Sequence, residues 1–385
     1  MQTDQFDFDA VIDRGGGDST KWNKYAGHDV LPLWVADMDF AAPPAVLAAL
    51  RRRIDHGVFG YGQPWSSLIA AVQEHLEAEY AWRVEPDWIV WLPGLVTGLN
   101  VACRAVDGPV FTATPVYPPF LSAPALAGRG LATAPLRQGD EGWSWDFDAT
   151  AKALKDAGCR LWLLCHPHNP VGRVWRDEEL ERIVALAQKH DLVVCSDEIH
   201  CGLVLDNNLR HRPFAGLSAQ AARRSITLMA PSKTFNVPGL GCAFAVIPEP
   251  RLRRDFRSAM SGIVPHVNIL GLVACEAALR EGGAWRRALI DYLRGNRDRL
   301  AEAVGAMPGL IMAPVEATYL AWIDTAAAGI DRPQRFFEHA GVGLSDGADF
   351  GRDDAYRSFV RLNFGCPRAT LERALERMAR AFACL

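Results

Sequence analysis

The feature that most constrains the fold of this chain is the alternation of short apolar runs with segments of helical periodicity. Several runs are five or six residues long and almost wholly apolar: "WIVWL", "PVFTAT", "LWLLC", "LVVCS" and "SITLMA". Segments elsewhere, such as "RDEELERIVALAQKHD", instead repeat their apolar residues at helical spacing. Continuous apolar strands separated by helices are typical of a mostly parallel sheet with both faces covered. The sequence therefore predicts an α/β fold.

The pattern changes after about residue 285, which indicates a second domain. There, two helical segments at 285–307 and 370–383 bracket shorter strand-like runs. The first 45 residues are irregular and rich in Gly, Pro, Asp and Trp. A chain of 385 residues is long enough for two domains. We predict a large domain at 46–285 and a smaller α+β domain formed by 1–45 and 286–385.

Charge and hydropathy exclude several classes of partner. The net charge is −4 and no run of Lys and Arg suggests a nucleic-acid face, so we expect no nucleic-acid partner. No uninterrupted apolar stretch reaches the roughly 18 residues of a membrane span. The acidic N-terminus lacks the apolar core of a signal peptide. We therefore expect a cytoplasmic protein without a membrane partner.

The cysteines give no sign of a metal site or a disulfide framework. No CxxC pair occurs, and several cysteines lie inside strand-like runs, where the residue behaves as a small hydrophobe. We expect buried thiols and no metal. The nine positions are 103, 159, 165, 195, 201, 242, 275, 366 and 384.

One lysine stands apart from the others. The chain has only six lysines, and Lys233 follows the apolar run "SITLMA" among small and turn-forming residues. The other five lie in polar stretches or in helical segments with charged neighbours. A lysine in this position either snorkels to the surface or serves as a chemical amine, because desolvation lowers its pKa and makes it nucleophilic. Taken alone, the position leaves both interpretations open.

Polar residues follow several of the predicted strands at the points where these strands end. In open α/β sheets, ligands bind beyond the carboxyl ends of the strands. Each residue also has a simple structural explanation: a tight turn, a core aromatic, a turn-forming Asn-Pro or a helix N-cap. The set comprises the Gly-rich segment 93–98, Tyr117, Asn169, Asp197 and Lys233.

Together these residues supply the groups that a pyridoxal 5'-phosphate (PLP) enzyme needs. An amine forms a Schiff base with the aldehyde, and a carboxylate keeps the pyridine nitrogen protonated. An aromatic ring stacks on the cofactor, an amide bonds the ring oxygen, and a helix N-terminus holds the phosphate. A nucleotide site is disfavoured, because neither G-x-G-x-x-G after the first strand nor G-x-x-x-x-G-K-[ST] occurs.

Longer motifs carry a resemblance that covers essentially the whole chain. They are "FDFDAVIDRGGGDSTKW", "LPLWVADMDFAAPP", "HGVFGYG", "LLCHPHNPVGRVW", "SDEIHCGL", "PSKTFNVPGLG", "ATYLAWID" and "VRLNFGCPR". With these motifs the chain resembles the fold-type I PLP enzymes of the aspartate aminotransferase superfamily. Within that superfamily it is similar to the MalY/PatB branch of cystathionine β-lyases, which are carbon–sulfur (C–S) lyases.

The resemblance implies roles for individual residues. The catalytic residues would be Lys233, as Schiff-base lysine and proton carrier, Asp197 on the pyridine nitrogen, and Tyr117 stacked on the ring. Arg361 would grip the substrate carboxylate as a bidentate clamp, with Asn169 and Tyr61 also in the substrate site. The remaining cofactor contacts would be Asn169 on the ring oxygen, Ile199 and His200 beside Asp197, Val96, Thr97 and Ser232 on the phosphate, and Tyr61 of a partner subunit. The family thus implies a homodimer with shared sites.

Two positions depart from the aminotransferase pattern and favour the lyase branch. Aminotransferases commonly have a tyrosine where this chain has His200, and a phosphate-binding arginine where it has Gly241. We therefore predict β-elimination from cystathionine or another S-substituted L-cysteine, giving pyruvate, ammonia and a thiol.

Two other functions stay open at this point. An aminotransferase of class I/II would use the same Lys233 and Asp197. A non-catalytic sensing module is disfavoured, because such regulators carry an N-terminal DNA-binding domain, and the roughly 45 residues that precede the large domain here contain no helix-turn-helix. The sequence does not identify the thiol-bearing group, whose contacts we expect near 34–40 and around Tyr319.

Overall fold

The computed structural model describes residues 6–139 and 142–383. The α-helices in these ranges are α1 (Thr20–Asn23), α2 (Pro44–Asp55), α3 (Ser66–Tyr80), α4 (Leu95–Ala105), α5 (Pro119–Leu126), α6 (Phe147–Ala157), α7 (Asp177–Lys189), α8 (Ala219–Arg223), α9 (Pro250–Met260), α10 (Ile269–Glu281), α11 (Gly283–Gly305), α12 (Pro333–His339) and α13 (Arg368–Phe382). The strands are β1 (Leu31–Pro32), β2 (Ile89–Leu92), β3 (Val110–Thr114), β4 (Leu131–Pro135), β5 (Arg137–Gly139), β6 (Gly142–Ser144), β7 (Leu161–Cys165), β8 (Val193–Asp197), β9 (Ser225–Met229), β10 (Ala243–Val246), β11 (Ile311–Met312), β12 (Leu320–Asp324), β13 (Val342–Gly343), β14 (Ser345–Asp346) and β15 (Phe359–Asn363).

A seven-stranded sheet forms the centre of the molecule, in the order β2-β10-β9-β8-β7-β3-β4. All its pairs are parallel except those of β10, which runs antiparallel to both neighbours. Every residue of β3, β7 and β9 is buried, since helices cover both faces. This burial explains the continuous apolar runs, and the predicted α/β class is confirmed.

A second, four-stranded antiparallel sheet has the order β11-β12-β15-β14. The hydrophobic core around it includes Phe8 and Leu33 from the N-terminal segment and Ala274 from α10. Strand β1 pairs in parallel with β13, which ties the N-terminal segment to the C-terminal part of the chain. The two sheets fall on either side of residue 285, and the domain limits themselves stay a prediction.

Several elements were not anticipated from the apolar pattern. Strand β4 lies at the edge of the large sheet and is mostly half-buried, so it lacks the continuous apolar signature. Helix α5 carries Pro124 within it, a residue that normally argues against helix. Of the cysteines, Cys201 is partly exposed, the other described ones are buried, and Cys384 lies outside the described residues. No helix in the described ranges is long and apolar enough to cross a membrane.

The carboxyl ends of the central strands set the position of the candidate site. Cys165, Asp197 and Leu228 are register partners on β7, β8 and β9, so the segments after these strands emerge side by side. Helix α4 begins shortly after β2, at the same edge. Strand β15 of the smaller sheet brings Arg361 to this edge, where it contacts Asn169. The result is a cleft between the two sheets.

Candidate active site

A cavity of about 290 Å³ lies in this cleft and gathers most of the residues singled out from the sequence. Its size is close to the lower end of the range for small-molecule sites. Tyr61 is not part of it and is fully exposed on this chain. The predicted residues in its lining are Val96, Thr97, Tyr117, Asn169, Asp197, Ile199, His200, Ser232, Lys233 and Arg361.

Lys233 follows β9 and lies inside the cavity. Its Nζ donates a hydrogen bond to the carbonyl oxygen of Ala36 at 2.5 Å. Burial lowers the pKa of Lys233 to about 8, with nearby Arg361 acting in the same direction and Asp37 opposing it. Roughly a tenth of the amine is therefore unprotonated at pH 7, far more than for an ordinary lysine, and the unprotonated form is the nucleophile.

Asp197 is the last residue of β8 and is buried at the base of the cavity. Its Oδ1 accepts a hydrogen bond from the backbone N–H of Ile199 at 3.1 Å. It begins no helix, so the alternative that Asp197 is a helix N-cap is wrong. Burial raises the pKa of Asp197 to about 7, partly offset by the Ile199 bond and by Lys233. A protonated ring nitrogen would give this carboxylate the cationic partner that it lacks among the described residues.

The start of α4 offers free backbone donors to an anion. Its N-cap residue, Gly94, provides no side-chain cap. The first amide that bonds back is that of Gly98, to the carbonyl oxygen of Gly94 at 3.2 Å, which leaves the amides of Val96 and Thr97 without a backbone acceptor in the described chain. Such a helix start binds phosphate groups.

Gly241 stands where aminotransferases commonly have a phosphate-binding arginine. It ends a single 3-10 turn with φ of +56°, a left-handed conformation that favours glycine. It lines the cavity beside Ser232 without contributing charge. The candidate donors to an anion here are therefore the amides of α4 and the hydroxyl of Ser232.

Arg361 is a buried cation without a carboxylate partner among the described residues. Nη1 donates to Oδ1 of Asn169 at 3.2 Å, and Nη2 donates to the carbonyl oxygen of Trp34 at 2.8 Å. Its Nε is buried and has no acceptor. Burial lowers the pKa of Arg361 to about 10. An incoming carboxylate would satisfy this guanidinium with two parallel hydrogen bonds.

His200 and Tyr117 complete the walls of the cavity. Nδ1 of His200 is buried without a partner in the described chain, and its ring lies 5.9 Å from that of Tyr319. Burial, Lys233 and Arg361 lower the pKa of His200 to about 3, so the imidazole is neutral. Tyr117 is partly buried, and its backbone N–H donates to the carbonyl oxygen of Asn169 at 3.2 Å.

We expected contacts to the thiol-bearing group near 34–40, and Val35 and Ala36 of this segment line the cavity. The hydrogen bonds that its backbone carbonyls accept were not anticipated. We call this segment the strap, because its carbonyl groups accept hydrogen bonds from residues of both sheets. The carbonyl of Ala36 accepts from Lys233 and from the Tyr319 hydroxyl, and that of Trp34 accepts from Arg361. The motif "WVADMDF", with two Asp in an apolar run, was the available signal.

The role of Lys21 was also missed. It lies in a polar stretch of the sequence, yet its side chain is fully buried and pairs with Asp39 at 2.6 Å. Asp39 lies in the strap, so its ion pair with Lys21 helps to hold the strap in place. The buried ion pair is invisible in sequence because Lys21 lies on α1, a helix of only four residues, and Asp39 lies in an irregular segment.

These observations fit PLP and define a class of protein. A buried lysine, a buried carboxylate, an uncapped helix start and unpartnered polar atoms converge at the carboxyl edge of a mostly parallel sheet. This is the arrangement of the fold-type I PLP-dependent proteins. The sequence model of the family "Aminotransferase class I and II" matches residues 28–378, and the chain belongs to that family.

Known proteins with high similarity cover almost all of the chain. Cystathionine beta-lyase PatB of Bacillus subtilis is 37% identical over 98% of this chain and 100% of its own length. Protein MalY of Escherichia coli is 32% identical over 96% of this chain and 97% of its own. The resemblance to the MalY/PatB branch is confirmed.

Solved structures agree with this placement. A crystal structure described as OvoB superposes with a TM-score of 0.93 at 50% identity, over 98% of this chain and 99% of that one. Cystalysin from Treponema denticola, described as containing pyridoxal 5'-phosphate, gives a TM-score of 0.94 at 32% identity over 98% and 99%.

Proposed function

We propose that this protein is a PLP-dependent C–S β-lyase that cleaves cystathionine or another S-substituted L-cysteine to pyruvate, ammonia and a thiol. One observation carries the proposal: Lys233, Asp197 and Arg361 line a single cavity. The amine, the carboxylate and the guanidinium are the three groups that amino-acid chemistry on PLP requires. Support for the lyase comes from PatB, whose name states cystathionine β-lyase, and from a PLP-bound C–S lyase of Staphylococcus hominis, with a TM-score of 0.91 at 29% identity.

The residues that would hold PLP are those of the cavity. Asp197 would face the ring nitrogen, Asn169 the ring oxygen and Tyr117 the ring face. The amides of Val96 and Thr97, with Ser232, would hold the phosphate, and Ile199 and His200 would line the ring. Bound there, PLP supplies an aldehyde for the substrate amine and a ring that delocalises the electron pair left by the α-proton.

The residues of this chain would divide the reaction between them. Arg361 holds the substrate carboxylate and thereby orients the α-hydrogen toward Lys233. Lys233, freed by the substrate amine, takes the α-proton on Nζ. The bond between the β-carbon and sulfur then breaks, and sulfur leaves with the electron pair as a thiolate. The three-carbon product, 2-aminoacrylate, hydrolyses to pyruvate and ammonia.

Asp197 and the strap set the conditions for these steps. A charged Asp197 would stabilise a proton on the ring nitrogen of the bound cofactor, because an anion favours the charged form of a neighbouring base. The carbonyl of Ala36 lies 2.5 Å from Nζ of Lys233 and can hold the amine close to the substrate. Proximity converts the proton transfer into an effectively unimolecular step.

The test is a turnover assay of the PLP-loaded protein with L-cystathionine and no 2-oxo acid. We expect pyruvate and homocysteine in equal amounts, with the cofactor remaining in its aldehyde form. Lys233→Ala serves as the inactive control. If turnover requires a 2-oxo acid and the cofactor accumulates as the amine, the protein is an aminotransferase and the lyase proposal is wrong.

We also propose a homodimer with shared active sites and a cytoplasmic location. Support for the dimer comes from the loop that carries Val58, Phe59 and Tyr61, whose large side chains are exposed on the single chain. Such a group is suited to contact a second copy. The oligomeric state is measured by analytical ultracentrifugation, and the location by fractionation of cells that express the full chain.

A further inference from the structure

A second cavity of about 550 Å³ adjoins the candidate active site. The two cavities share Val35, Ala36, Lys233 and Pro238 in their linings. The first cavity contains the residues proposed for PLP and for the substrate carboxylate. A substrate whose α-carbon lies beside Lys233 would therefore have the second cavity within reach of its β-substituent.

Besides the exposed Asp18, four charged side chains from the N-terminal segment and the strap line the second cavity. Two of them, Lys21 and Asp39, are buried and saturated by protein groups. Oδ2 of Asp39 accepts from Lys21 at 2.6 Å, and Oδ1 accepts from Arg14 at 2.6 Å and from the Trp22 indole at 3.0 Å. Lys21 and Asp39 therefore have a structural role, and they are not available to a ligand.

The other two, Arg14 and Asp37, form an ion pair that is still open to a ligand. Nη2 of Arg14 donates to Oδ2 of Asp37 at 2.7 Å, and the two side chains are 26% and 19% exposed. Oδ1 of Asp37 accepts no hydrogen bond from the described residues, and Nε of Arg14 donates to none. Each residue of the pair thus keeps one unused group: Asp37 an acceptor oxygen, and Arg14 a donor N–H. Both residues line the second cavity.

The position of this pair matches the far end of a substrate. Asp37 is the neighbour of Ala36, whose carbonyl oxygen contacts Nζ of Lys233. A carboxylate oxygen there fits an ammonium group, and the adjoining guanidinium fits a carboxylate. An ammonium and a carboxylate on neighbouring positions are the two ends of an α-amino acid.

We propose that Arg14 and Asp37 recognise the leaving half of the substrate, and that this half is a thiol bearing an α-amino-acid group. The inference rests on the proposed lyase function and deepens it. Asp37 binds the distal ammonium, Arg14 binds the distal carboxylate, and an uncharged S-alkyl group gains from neither. Both residues determine specificity and take no part in bond breaking.

Four substrates that differ only at the distal end test this proposal. L-Cystathionine carries both charges, S-(3-aminopropyl)-L-cysteine only the ammonium, S-(3-carboxypropyl)-L-cysteine only the carboxylate, and S-propyl-L-cysteine neither. Initial rates of pyruvate formation give kcat/KM for each substrate with the PLP-loaded wild type, Asp37→Asn and Arg14→Gln. We expect the wild type to prefer L-cystathionine.

The two variants should show a crossed pattern of losses. We expect Asp37→Asn to lose about tenfold in kcat/KM for the two substrates with an ammonium, the size expected for one charged hydrogen bond. Arg14→Gln should lose a similar factor for the two substrates with a carboxylate. Each variant should stay within about threefold of wild type on S-propyl-L-cysteine, since that substrate makes neither hydrogen bond.

Controls separate recognition from a damaged strap. Arg14→Lys keeps the charge and should recover much of the loss on carboxylate substrates. Asp156→Asn removes an exposed carboxylate that pairs with Lys152 on α6 and should leave all four values unchanged. Equal losses on all four substrates, or a wild-type preference for S-propyl-L-cysteine, would overturn the proposal. A wild type that forms pyruvate from none of the four would instead overturn the lyase function.

Discussion

At the scale of single residues, burial is the dominant influence on the candidate site. Desolvation raises the pKa of Asp197 to about 7 and lowers that of Lys233 to about 8, because it disfavours the charged form of each group. Arg361 remains a cation despite its burial, since even a pKa of about 10 lies well above neutrality. The site thus holds its ionisable groups in an environment that disfavours their charged forms. We make one prediction for each of these three groups.

The lowered pKa of Lys233 should be visible in the kinetics of cofactor uptake. Only the unprotonated amine can react with an aldehyde, so the rate of PLP incorporation into cofactor-free protein should rise with pH, reach half its maximum near pH 8 and level off above that pH. Stopped-flow absorbance from pH 6 to pH 10 measures this, with Lys233→Ala as the blank. A rate that keeps rising toward 10.5, the ordinary lysine value, would show that Lys233 is not desolvated.

Asp197→Asn should stabilise the cofactor-free protein at alkaline pH. Because the folded pKa of Asp197 is about 7 against 3.8 in the unfolded chain, the folded state binds the extra proton, and wild-type stability is lost as pH rises from about 4 to 7. Asparagine does not ionise and its Oδ1 can keep the bond from Ile199. We expect a gain of about 1–3 kcal/mol at pH 8 and little at pH 4.

Thermal unfolding of both proteins at the two pH values measures this effect. Asp156→Asn, which removes an exposed carboxylate, is the control and should show no such gain. A pH-independent difference between Asp197→Asn and wild type would contradict the raised pKa. With PLP bound, the same variant should lose nearly all turnover, because the ring nitrogen loses its anionic partner.

Arg361→Lys should lose much of its kcat/KM on any substrate with an α-carboxylate. Lysine keeps the charge and loses the planar fork that fixes two hydrogen bonds, so we expect a cost of about 2–4 kcal/mol. Steady-state kinetics with L-cystathionine give the value. Arg182→Lys, an exposed arginine over the ring of Phe147, is the matched control. A near-normal kcat/KM for Arg361→Lys would remove Arg361 from the substrate site.

At the scale of elements, the packing of α4 against the sheet determines where the phosphate site lies. Helix α4 begins three residues after β2, and Gly98 in its first turn faces Leu228 of β9 and Leu92 of β2. A Cβ added at Gly98 would lie 2.9 Å from the Leu228 side chain. The glycine therefore allows the free amides of Val96 and Thr97 to approach the sheet edge closely.

Gly98→Ala should weaken both the fold and cofactor retention. Overpacking at this contact should cost about 1–3 kcal/mol and displace the start of α4, so the PLP dissociation constant should rise as well. Thermal unfolding and equilibrium dialysis measure the two effects. Gly305→Ala, at the end of α11 with no atom within 4 Å of the new Cβ, should be neutral or stabilising by up to about 1 kcal/mol. Equal behaviour of the two variants would contradict the packing argument.

At the scale of the whole molecule, every residue predicted for the candidate site lines the first cavity of a single chain except Tyr61. That side chain is fully exposed and lies outside both cavities. Its proposed role therefore depends on a second copy of the chain. If each site uses residues of both chains, two variants that are inactive alone can complement each other in a mixed dimer.

Two inactive variants should restore activity when their subunits are exchanged. Tyr61→Ala and Lys233→Ala together give a heterodimer in which one site has both residues intact, so up to half of the wild-type activity per heterodimer should return. Mixing Lys233→Ala with Asp197→Asn is the control, because both changes affect the same chain's site and no intact mixed site forms. Absence of activity after verified exchange of Tyr61→Ala and Lys233→Ala would mean that the sites are not shared.

The sequence by itself determined the large sheet and the residues at its carboxyl edge. Local periodicity indicates which face of an element is buried, and the carboxyl ends of parallel strands lie at a common edge of the sheet. The positions of Asn169, Asp197 and Lys233 at the ends of their strands are therefore enough to predict that the three residues lie together. The family followed from contiguous motifs around these positions. The antiparallel direction of β10 was not predictable in this way, because an apolar run carries no sign of strand direction.

Only the tertiary structure decided the rest of the site. The hydrogen bonds of the strap and the open pair of Arg14 and Asp37 involve irregular segments with no periodicity. Lys21, which pairs with Asp39, lies on the four-residue helix α1, which is too short to show a periodic pattern. The burial of these residues depends on the N-terminal segment packing against the smaller sheet, and the contact of Arg361 with Asn169 joins positions 192 residues apart. Such long-range contacts depend on how the sheets and segments pack together, which no local pattern records.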